Sequence, residues 1–320
     1  MQDSLHDDEA IKGAVRQNYG SVARAGLSSE HAGMRSIAQA FGYTVEELAA
    51  IPAASNMGLS CGNPVALASL RPGETVVDLG SGGGLDVFLA SRAVGPEGHA
   101  IGIDMTPDMV ALARRNAAQH GYTNVRFHLA ELEATPLPAD SVDCVLSNCV
   151  LNLCPDKPAA LREVFRMLKP GGRVAISDIA LKQALPAPIA REIAAWTGCI
   201  AGAQLISDLE RALDDAGFVD VFVQDSGADL NAYRDGGHAA CCGPAAETTE
   251  PAEVAPSACC TPAPAGASAC CAPPAATPTP CAPADAAGSP DFHASMGALL
   301  DSFDVNAYAA SVKVYARKPE

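Results

Sequence analysis

The sequence of 320 residues predicts an α/β fold, in which a largely parallel sheet carries helices on both faces. Two observations predict this fold: short apolar runs alternate with helical segments from Thr75 onward, and a glycine-rich turn follows the first run. A third observation predicts an exception, because residues 236–290 consist mainly of Ala, Pro, Gly, Ser and Thr. Such a segment cannot bury enough apolar surface to offset its ordering entropy, so we expect it to be disordered.

The elements are predicted in chain order from the apolar period and from cap and turn residues. Two N-terminal helices are separated by a break at Gly26, Thr44 resembles the N-cap of a third, and a polar loop carries Cys61. The predicted helices are residues 10–25, 28–41, 65–70, 84–93, 107–120, 156–168, 186–203 and 207–216, the loop is residues 51–64, and the predicted strands are residues 76–79, 99–103, 124–128, 142–147, 172–178, 218–224 and 307–317.

Composition disfavours several classes of partner. The formal net charge is −16 and no run of Lys or Arg occurs, which argues against duplex nucleic acid and against an acidic membrane surface. Residues 1–9 lack the features of a secretory signal and no apolar run is long enough to span a bilayer, so we expect a cytoplasmic protein. In that compartment the twelve cysteines are interpreted as thiolates for a soft element or for redox chemistry.

The glycine-rich turn predicts a nucleotide site. Asp78 lies within the first strand, Gly80, Gly82 and Gly84 follow it, and Asp104 ends the second strand. Glycines allow the backbone to approach a ligand closely, and Asp104 is placed to accept hydrogen bonds from the hydroxyl groups of a ribose. Because NAD enzymes use an acidic residue in the same way, these residues alone leave an ordinary dinucleotide fold open.

The order of four motifs resembles that of class I S-adenosylmethionine-dependent methyltransferases. The motifs are residues 78–84, 104–107, 131–133 and 168–172. The resemblance implies a Rossmann-like, seven-stranded mixed sheet and S-adenosylmethionine as the methyl donor. It also implies that Glu131 reaches the adenine amino group and that the loop from Asp78 to Gly82 surrounds the methionine part.

The methyl acceptor is inferred from the end of the fourth strand, because ligands bind at the carboxyl ends of strands in open α/β sheets. Residues 147–152 lack the Asn/Asp-Pro-Pro-aromatic run of enzymes that methylate nucleic-acid amines, and no histidine is near to act as a base. Cys149 lies there instead. We expect Cys144 to be a core residue and Cys154 to be structural. The histidines without ligand spacing, which we expect on surfaces, are His6, His31, His99, His120, His128 and His293.

Three cysteine motifs resemble those of arsenite methyltransferases. They are residues 56–64, 147–153 and 196–203, and the resemblance extends over residues 12–225 and the final strand. It implies methyl transfer to trivalent arsenic for detoxification, with Cys149 and Cys199 as arsenic ligands and Cys61 as the third. By both resemblances, the cofactor-binding residues are Tyr19, Gly20, Asp78, Gly80, Gly82, Gly84, Asp104, Met105, Glu131, Leu132 and Asn148.

The chemistry of arsenic supports this reading independently. Trivalent arsenic is thiophilic, and three thiolates suit its pyramidal geometry. Its lone pair carries no proton, so attack on a methyl group needs placement rather than a general base. The family restores arsenic to the trivalent state with electrons from its cysteines, so the resemblance implies an external thiol reductant of the thioredoxin or glutathione type. Unlike algal and animal relatives, residues 1–60 here contain no further cysteine.

Two alternatives remain open from the residues. One is a C- or O-methyltransferase for a small molecule of the quinone or sterol type, and the other is a thiol-rich sink for arsenic or metals. The paired cysteines of the low-complexity segment are too irregular for a zinc knuckle. They suit either an arsenic-collecting segment or a passive, metal-buffering linker. These cysteines are Cys241, Cys242, Cys259, Cys260, Cys270, Cys271 and the single Cys281.

The predicted partners are an arsenical and a thiol-reducing protein or glutathione, with no nucleic acid and no membrane. A monomer is the expected state.

The predicted organisation has five parts. The parts are N-terminal helices and the Cys61 loop that cap the active site (1–70), the S-adenosylmethionine-binding core (71–185), an arsenic-binding helix with the continuation of the sheet (186–235), the low-complexity segment (236–290) and the final strand (291–320).

Overall fold

The computed structural model describes residues 8–190, 199–238 and 292–320. Its sheet has seven strands in the order β3-β2-β1-β4-β5-β7-β6, which confirms the predicted seven-stranded mixed sheet. The pairs among β1 to β5 are parallel, and β7 is antiparallel to both β5 and β6. The strands are β1 Thr75–Leu79, β2 His99–Asp104, β3 Val125–Leu129, β4 Val142–Asn148, β5 Leu168–Leu181, β6 Val219–Asp225 and β7 Ala309–Arg317.

Within the described residues, the helices up to residue 215 follow the predicted order, whereas those at residues 292–302 and 305–308 were not predicted. Thr44 caps α3 as predicted: its hydroxyl accepts from the Glu47 amide at 3.0 Å, and the Glu47 carboxylate accepts from the Thr44 amide at 2.8 Å. The helices are α1 Asp8–Arg24, α2 Ala32–Ala40, α3 Val45–Ala49, α4 Pro64–Ala68, α5 Leu85–Val94, α6 Pro107–Gln119, α7 Lys157–Met167, α8 Ala187–Ala190, α9 Ile206–Asp215, α10 Phe292–Ser302 and α11 Val305–Tyr308, with 3-10 turns at Ala53–Ser55, Leu151–Leu153 and Leu230–His238.

Both faces of the central strand β1 are buried, and its neighbouring residues point to opposite faces. Val76 packs in a cluster with Phe88 of α5 and Ala113 of α6. Val77 packs on the other face with Leu161 of α7 and Leu213 of α9. Only the strand ends are then left for ligands. Among the described residues, no helix is long and apolar enough to cross a membrane.

Two predicted helices were too long. Residues 199–203 form turns rather than the end of a helix, because Cys199 has a φ of +63°, which a right-handed helix excludes. Residues 191–198, including Trp196, lie outside the described residues. Helix α2 begins at Ala32 instead of residue 28, because the His31 ring contacts the Ser28 amide at 3.2 Å and closes a turn there.

Two predictions at the C-terminal end were also wrong. The final strand begins at Ala309, because the preceding residues form the short helix α11. His293 is buried at 3% exposure rather than at the surface, and its Nε2 lies 3.1 Å from the Met57 carbonyl oxygen. The low-complexity segment and its seven cysteines fall outside the described residues, as does His6, so those predictions stay predictions.

Candidate active site

A cleft of about 960 Å³, partly open to solvent, lies at the carboxyl ends of β1, β2 and β4. This is the edge at which open α/β sheets bind ligands. We call it the glycine cleft. Of the predicted site residues, those that line it are Tyr19, Asp78, Gly80, Gly82, Asp104, Met105, Leu132, Asn148 and Cys149, whereas Gly20, Gly84, Glu131, Cys61 and Cys199 are not in its lining.

The glycine turn after β1 is fixed by sterics. Gly80 has a φ of +67°, and a Cβ atom there would lie 2.3 Å from the Val150 side chain. The amide of Gly82 donates to Asp104 Oδ2 at 2.9 Å, and the Thr106 amide donates to Asp104 Oδ1 at 2.8 Å. The turn is therefore hydrogen bonded to Asp104 at the end of β2 and packs against Val150, the residue that follows Cys149. These two amides use only part of the accepting capacity of the Asp104 carboxylate, so it could also accept from a ligand hydroxyl.

Three buried carboxylates give the glycine cleft its electrostatic character. Asp78, Asp86 and Asp104 all line it. Burial and the charges of Asp86 and Asp104 raise the pKa of Asp78, and its Oδ1 has no hydrogen-bond partner within the described part of the chain. Burial raises the pKa of Asp86 to about 6, although hydrogen bonds from Tyr43 and Asn148 oppose the shift. A cationic group of a ligand would relieve this uncompensated negative charge.

The one basic side chain in the described lining is already paired. Lys12 Nζ lies 2.6 Å from Glu131 and 3.0 Å from Glu133, and Arg16 also contacts Glu131. These pairs hold α1 against the segment after β3. Gly20 also lies close to α6, because a Cβ there would be 3.1 Å from Asp108 Oδ2. Glu131 thus contacts α1, and its predicted contact with adenine stays a prediction.

The structure brings the three motif cysteines together, and we call Cys61, Cys149 and Cys199 the thiol cluster. The Sγ atoms of Cys61 and Cys149 are in direct contact, and their Cα atoms are 5.6 Å apart. Cys199 Sγ donates to the Cys149 carbonyl oxygen at 2.8 Å. All three residues are at most 7% exposed. Cys149 also lines the glycine cleft, so the two sites are adjacent.

Hydrogen bonds from the strand ends fix the loop that carries Cys61. The Asn148 side chain accepts from the Cys61 amide and donates to the Gly62 carbonyl, both at 2.9 Å. Ser311 of β7 donates to the Cys61 carbonyl at 2.6 Å. A Cβ atom at Gly62 would lie 2.7 Å from Ser177, so the loop packs directly on β5.

Two of the three cysteines have strained backbones. Cys149 has a φ of +55° and Cys199 a φ of +63°, in the left-handed region. Three other non-glycine residues of the described chain share it, namely Ser69, Asp140 and Asp220. Such conformations cost on the order of 1 kcal/mol and concentrate at functional sites. The Cys149 amide donates to the Ser177 carbonyl at 2.9 Å, which helps to hold the conformation.

Tyrosine hydroxyls adjoin the thiols, a role that was not predicted from the sequence. Tyr233 donates to the Ser60 carbonyl at 2.7 Å, and its hydroxyl lies 3.1 Å from Cys61 Sγ and 3.7 Å from Cys149 Sγ. Tyr19 hydrogen bonds to Cys199. Burial and the nearby Asp178 charge raise the pKa of the Cys199 thiol. No apolar period marks residues 230–238, so the pattern gave no signal for Tyr233.

Asp178 was also not among the residues predicted from the sequence. Its carboxylate and the sulfurs of Cys61 and Cys149 lie within 4.8 Å of one another. Asp178 lies near the carboxyl end of β5, so the rule that ligands bind at this edge of the sheet was the available signal. Burial raises the pKa of Asp178 to about 7, against the opposing effects of amide hydrogen bonds and of Lys157.

The other described cysteines differ from the thiol cluster. Cys144 is fully buried in the middle of β4, which confirms its assignment to the core, and burial raises its pKa to about 12. Cys154 is buried and lines the glycine cleft. Burial and Glu133 raise its pKa to about 12, so it is poorly suited to act as a thiolate.

Known methyltransferase sequences match much of this chain. A family model described as a methyltransferase domain matches residues 70–217. An arsenite methyltransferase of Halobacterium salinarum is 41% identical over 227 residues, which cover 66% of this chain and 58% of that protein. The chain therefore spans less than two thirds of this curated relative's length.

Two solved structures were also similar. An arsenic(III) S-adenosylmethionine methyltransferase from Chlamydomonas reinhardtii is 30% identical, with coverage of 64% of this chain and 69% of that chain and a TM-score of 0.48. A phosphoethanolamine N-methyltransferase of Haemonchus contortus is 15% identical and has a TM-score of 0.57. The match covers 90% of this chain and 57% of that chain, and it shows the fold alone. By its sequence similarity to these arsenic enzymes, the chain belongs to the arsenite methyltransferase family.

Proposed function

We propose that this chain transfers methyl groups from S-adenosylmethionine to trivalent arsenic bound by Cys61, Cys149 and Cys199. One observation carries the proposal: three buried cysteines from distant parts of the chain meet beside a glycine cleft that Cys149 itself lines. A thiophilic substrate held by Cys149 would therefore lie next to a donor in the cleft.

The residues of the glycine cleft fit the methyl donor. S-adenosylmethionine supplies a methyl group on a positively charged sulfur, which needs no metal. The unpartnered Oδ1 of Asp78 would accept its ammonium group, and the free lone pairs of Asp104 would accept its ribose hydroxyls. Because Gly80 and Gly82 have no side chains, the backbone there could lie close to the methionine part of the donor.

The thiol cluster fits the acceptor. Each thiol displaces one hydroxyl group of arsenite: the thiol hydrogen and the hydroxyl leave as water, and an arsenic–sulfur bond forms. The arsenic lone pair then attacks the methyl carbon, so the residues are required to place arsenic and not to remove a proton. This agrees with the described lining of the glycine cleft, which includes no histidine.

Contact between Cys61 and Cys149 supports a redox role for the pair. Methylation formally oxidises arsenic from the trivalent to the pentavalent state. Two thiols that release two electrons and two protons return arsenic to the trivalent state and become a disulfide, and the 5.6 Å Cα separation of Cys61 and Cys149 suits that bond. An external reductant of the thioredoxin or glutathione type would then regenerate the thiols.

The test is incubation of the purified chain with arsenite, methyl-labelled S-adenosylmethionine and a thiol reductant, followed by arsenic speciation. We expect labelled methylarsenicals, and their number of methyl groups would define the product. Absence of methylated arsenic from folded protein that binds S-adenosylmethionine would contradict the proposal. Quinone and sterol acceptors would be tested next in the same assay.

A further inference from the structure

Asp178 is a buried carboxylate beside the thiol cluster that the proposed thiol chemistry does not use. It is 3% exposed, and its carboxylate lies within 4.8 Å of the sulfurs of both Cys61 and Cys149. Its Oδ1 accepts from the Ile179 amide at 2.8 Å and from Asn152 at 2.9 Å. Its Oδ2 is buried and accepts no hydrogen bond from the residues that the structure describes. A buried carboxylate oxygen without a donor is costly, so a donor from the substrate would be strongly favoured there.

Asn152 links Asp178 to the third cysteine. Its side-chain amide donates to Asp178 Oδ1, to the Ile179 carbonyl at 2.6 Å and to the Cys199 carbonyl at 3.2 Å. Lys157, from the start of α7, adjoins the same region and favours the ionised form of Asp178, while its Nζ donates to the Cys154 carbonyl. Asp178 is therefore held in place by its Oδ1, which leaves Oδ2 to accept from a ligand in a carboxylate that lies beside the sulfur pair.

We propose that Asp178 Oδ2 accepts a hydrogen bond from the hydroxyl group that arsenic keeps after Cys61 and Cys149 have displaced the other two. This inference rests on the arsenic site of the proposed function. Arsenite and two thiols give a dithiolate with one remaining hydroxyl group, and two waters leave. Cys199 then exchanges with that hydroxyl: its thiol hydrogen leaves with the hydroxyl as a third water, and the third arsenic–sulfur bond forms. Asp178 orients the hydroxyl for this last exchange.

The role makes Asp178 a specificity-determining residue. An arsenical that carries one carbon group has no hydroxyl left once two thiols have bound it. Methylarsenite and phenylarsine oxide both belong to this class, so neither can use Asp178 in this way. The carboxylate therefore favours arsenite over substrates that are already substituted.

The test compares arsenite with phenylarsine oxide on Asp178→Asn. This variant keeps the Oδ1 acceptor for Ile179 and Asn152 but replaces Oδ2 with an amide donor. Binding is measured on the reduced full chain without methyl donor, in a Cys199→Ser background in which arsenic keeps its hydroxyl group, by equilibrium dialysis and by fluorescence of Trp196, the single tryptophan. Turnover is measured with Cys199 present. Serine replaces the cysteines that would bind arsenic elsewhere, namely Cys241, Cys242, Cys259, Cys260, Cys270, Cys271 and Cys281.

We expect arsenite to bind about 10- to 100-fold more weakly, the effect of losing a hydrogen bond to a charged group. Phenylarsine oxide should bind within about threefold of the parent. In turnover, the KM for arsenite should rise more than the KM for methylarsenite. The control is Asp225→Asn, which removes a carboxylate paired with Lys182 at the sheet edge and should change neither affinity.

Equal weakening of both arsenicals would show a purely structural role and overturn the inference, as would unchanged arsenite binding. Asp178→Ser, whose hydroxyl can still accept from the Ile179 amide, replaces Asp178→Asn if that variant does not fold. Because binding is measured without methyl donor, a selective loss of arsenite binding in a chain that fails to methylate would sustain this inference while contradicting the proposed function.

Discussion

The glycine cleft and the thiol cluster differ in how far apart along the chain their residues lie. The carboxylates of the cleft come from β1, the start of α5 and the end of β2, which are consecutive elements. The thiol cluster and its neighbours come from a loop, from the end of β4 and from a turn near Cys199, and Tyr233 lies 172 residues from Cys61. The first site depends on local turn geometry, whereas the second depends on long-range packing.

This difference teaches where each site is vulnerable. A change in the glycine turn acts through a backbone conformation and through Val150, the residue after Cys149. A change in the thiol cluster would act on the proposed ligation of the substrate, because Asn148, Ser177 and Ser311 hold its backbone independently. Substitutions in the two sites are therefore expected to affect different functions.

The largest effect is expected for Cys149→Ser. It removes a proposed arsenic ligand at the boundary between the sites, so kcat/KM for arsenite should fall by more than about 100-fold. Affinity for S-adenosylmethionine, measured by calorimetry, should stay within about threefold. The matched control is Cys144→Ser in the same strand, which should lower Tm but retain methylation. Equal loss of activity in both variants would argue against a special role for Cys149.

The next effect is expected for Gly80→Ala, which tests whether the glycine turn depends on close packing. The added Cβ would lie 2.3 Å from Val150 at a φ of +67°. We expect a loss of about 2 to 4 kcal/mol in the free energy of unfolding and weaker binding of S-adenosylmethionine. Gly121→Ala has a φ of +70° with no atom within 4 Å, so it should cost only about 1 to 2 kcal/mol. Equal costs would show that backbone conformation alone matters.

A pH effect should distinguish the cleft carboxylates. The pKa of Asp86 is raised from 3.8 to about 6, so its contribution to stability is present below about pH 4 and is lost as pH rises through 6. The free energy of unfolding of ligand-free protein should therefore fall over that range, by on the order of 3 kcal/mol from this group. Denaturant titrations of Asp86→Asn should show a smaller fall. An unchanged pH slope would contradict this assignment.

The smallest effect on catalysis is expected for deletion of residues 240–288, which lie outside both sites in the sequence. Maximal turnover should be nearly unchanged, because none of its cysteines belongs to the thiol cluster. Capture should weaken at low arsenite if the paired cysteines raise the local concentration of substrate. The measurement is methylation rate against arsenite concentration. Complete loss of activity in a folded deletion variant would contradict the expectation.

The sequence predicted the fold and the cleft better than it predicted the neighbours of the thiols. Every strand boundary within the described residues agreed to within four residues, because apolar period and turn chemistry are local. Asp104 and the glycine turn were found for the same reason. Tyr233 and the buried His293 were not found, since only the tertiary packing places them against the Cys61 loop and Met57. Asp178 could have been found only by considering which side chains lie at the carboxyl edge of the sheet.

The most direct test of the account is arsenic K-edge X-ray absorption on the reduced full chain with arsenite bound. The cysteines of the low-complexity segment are replaced by serine, so that the signal comes from the thiol cluster. The account predicts three sulfur neighbours in the parent, and two sulfurs with one oxygen in Cys199→Ser. Oxygen-dominated coordination in the parent, or three sulfurs after loss of Cys199, would contradict the claim that these three cysteines form the arsenic site.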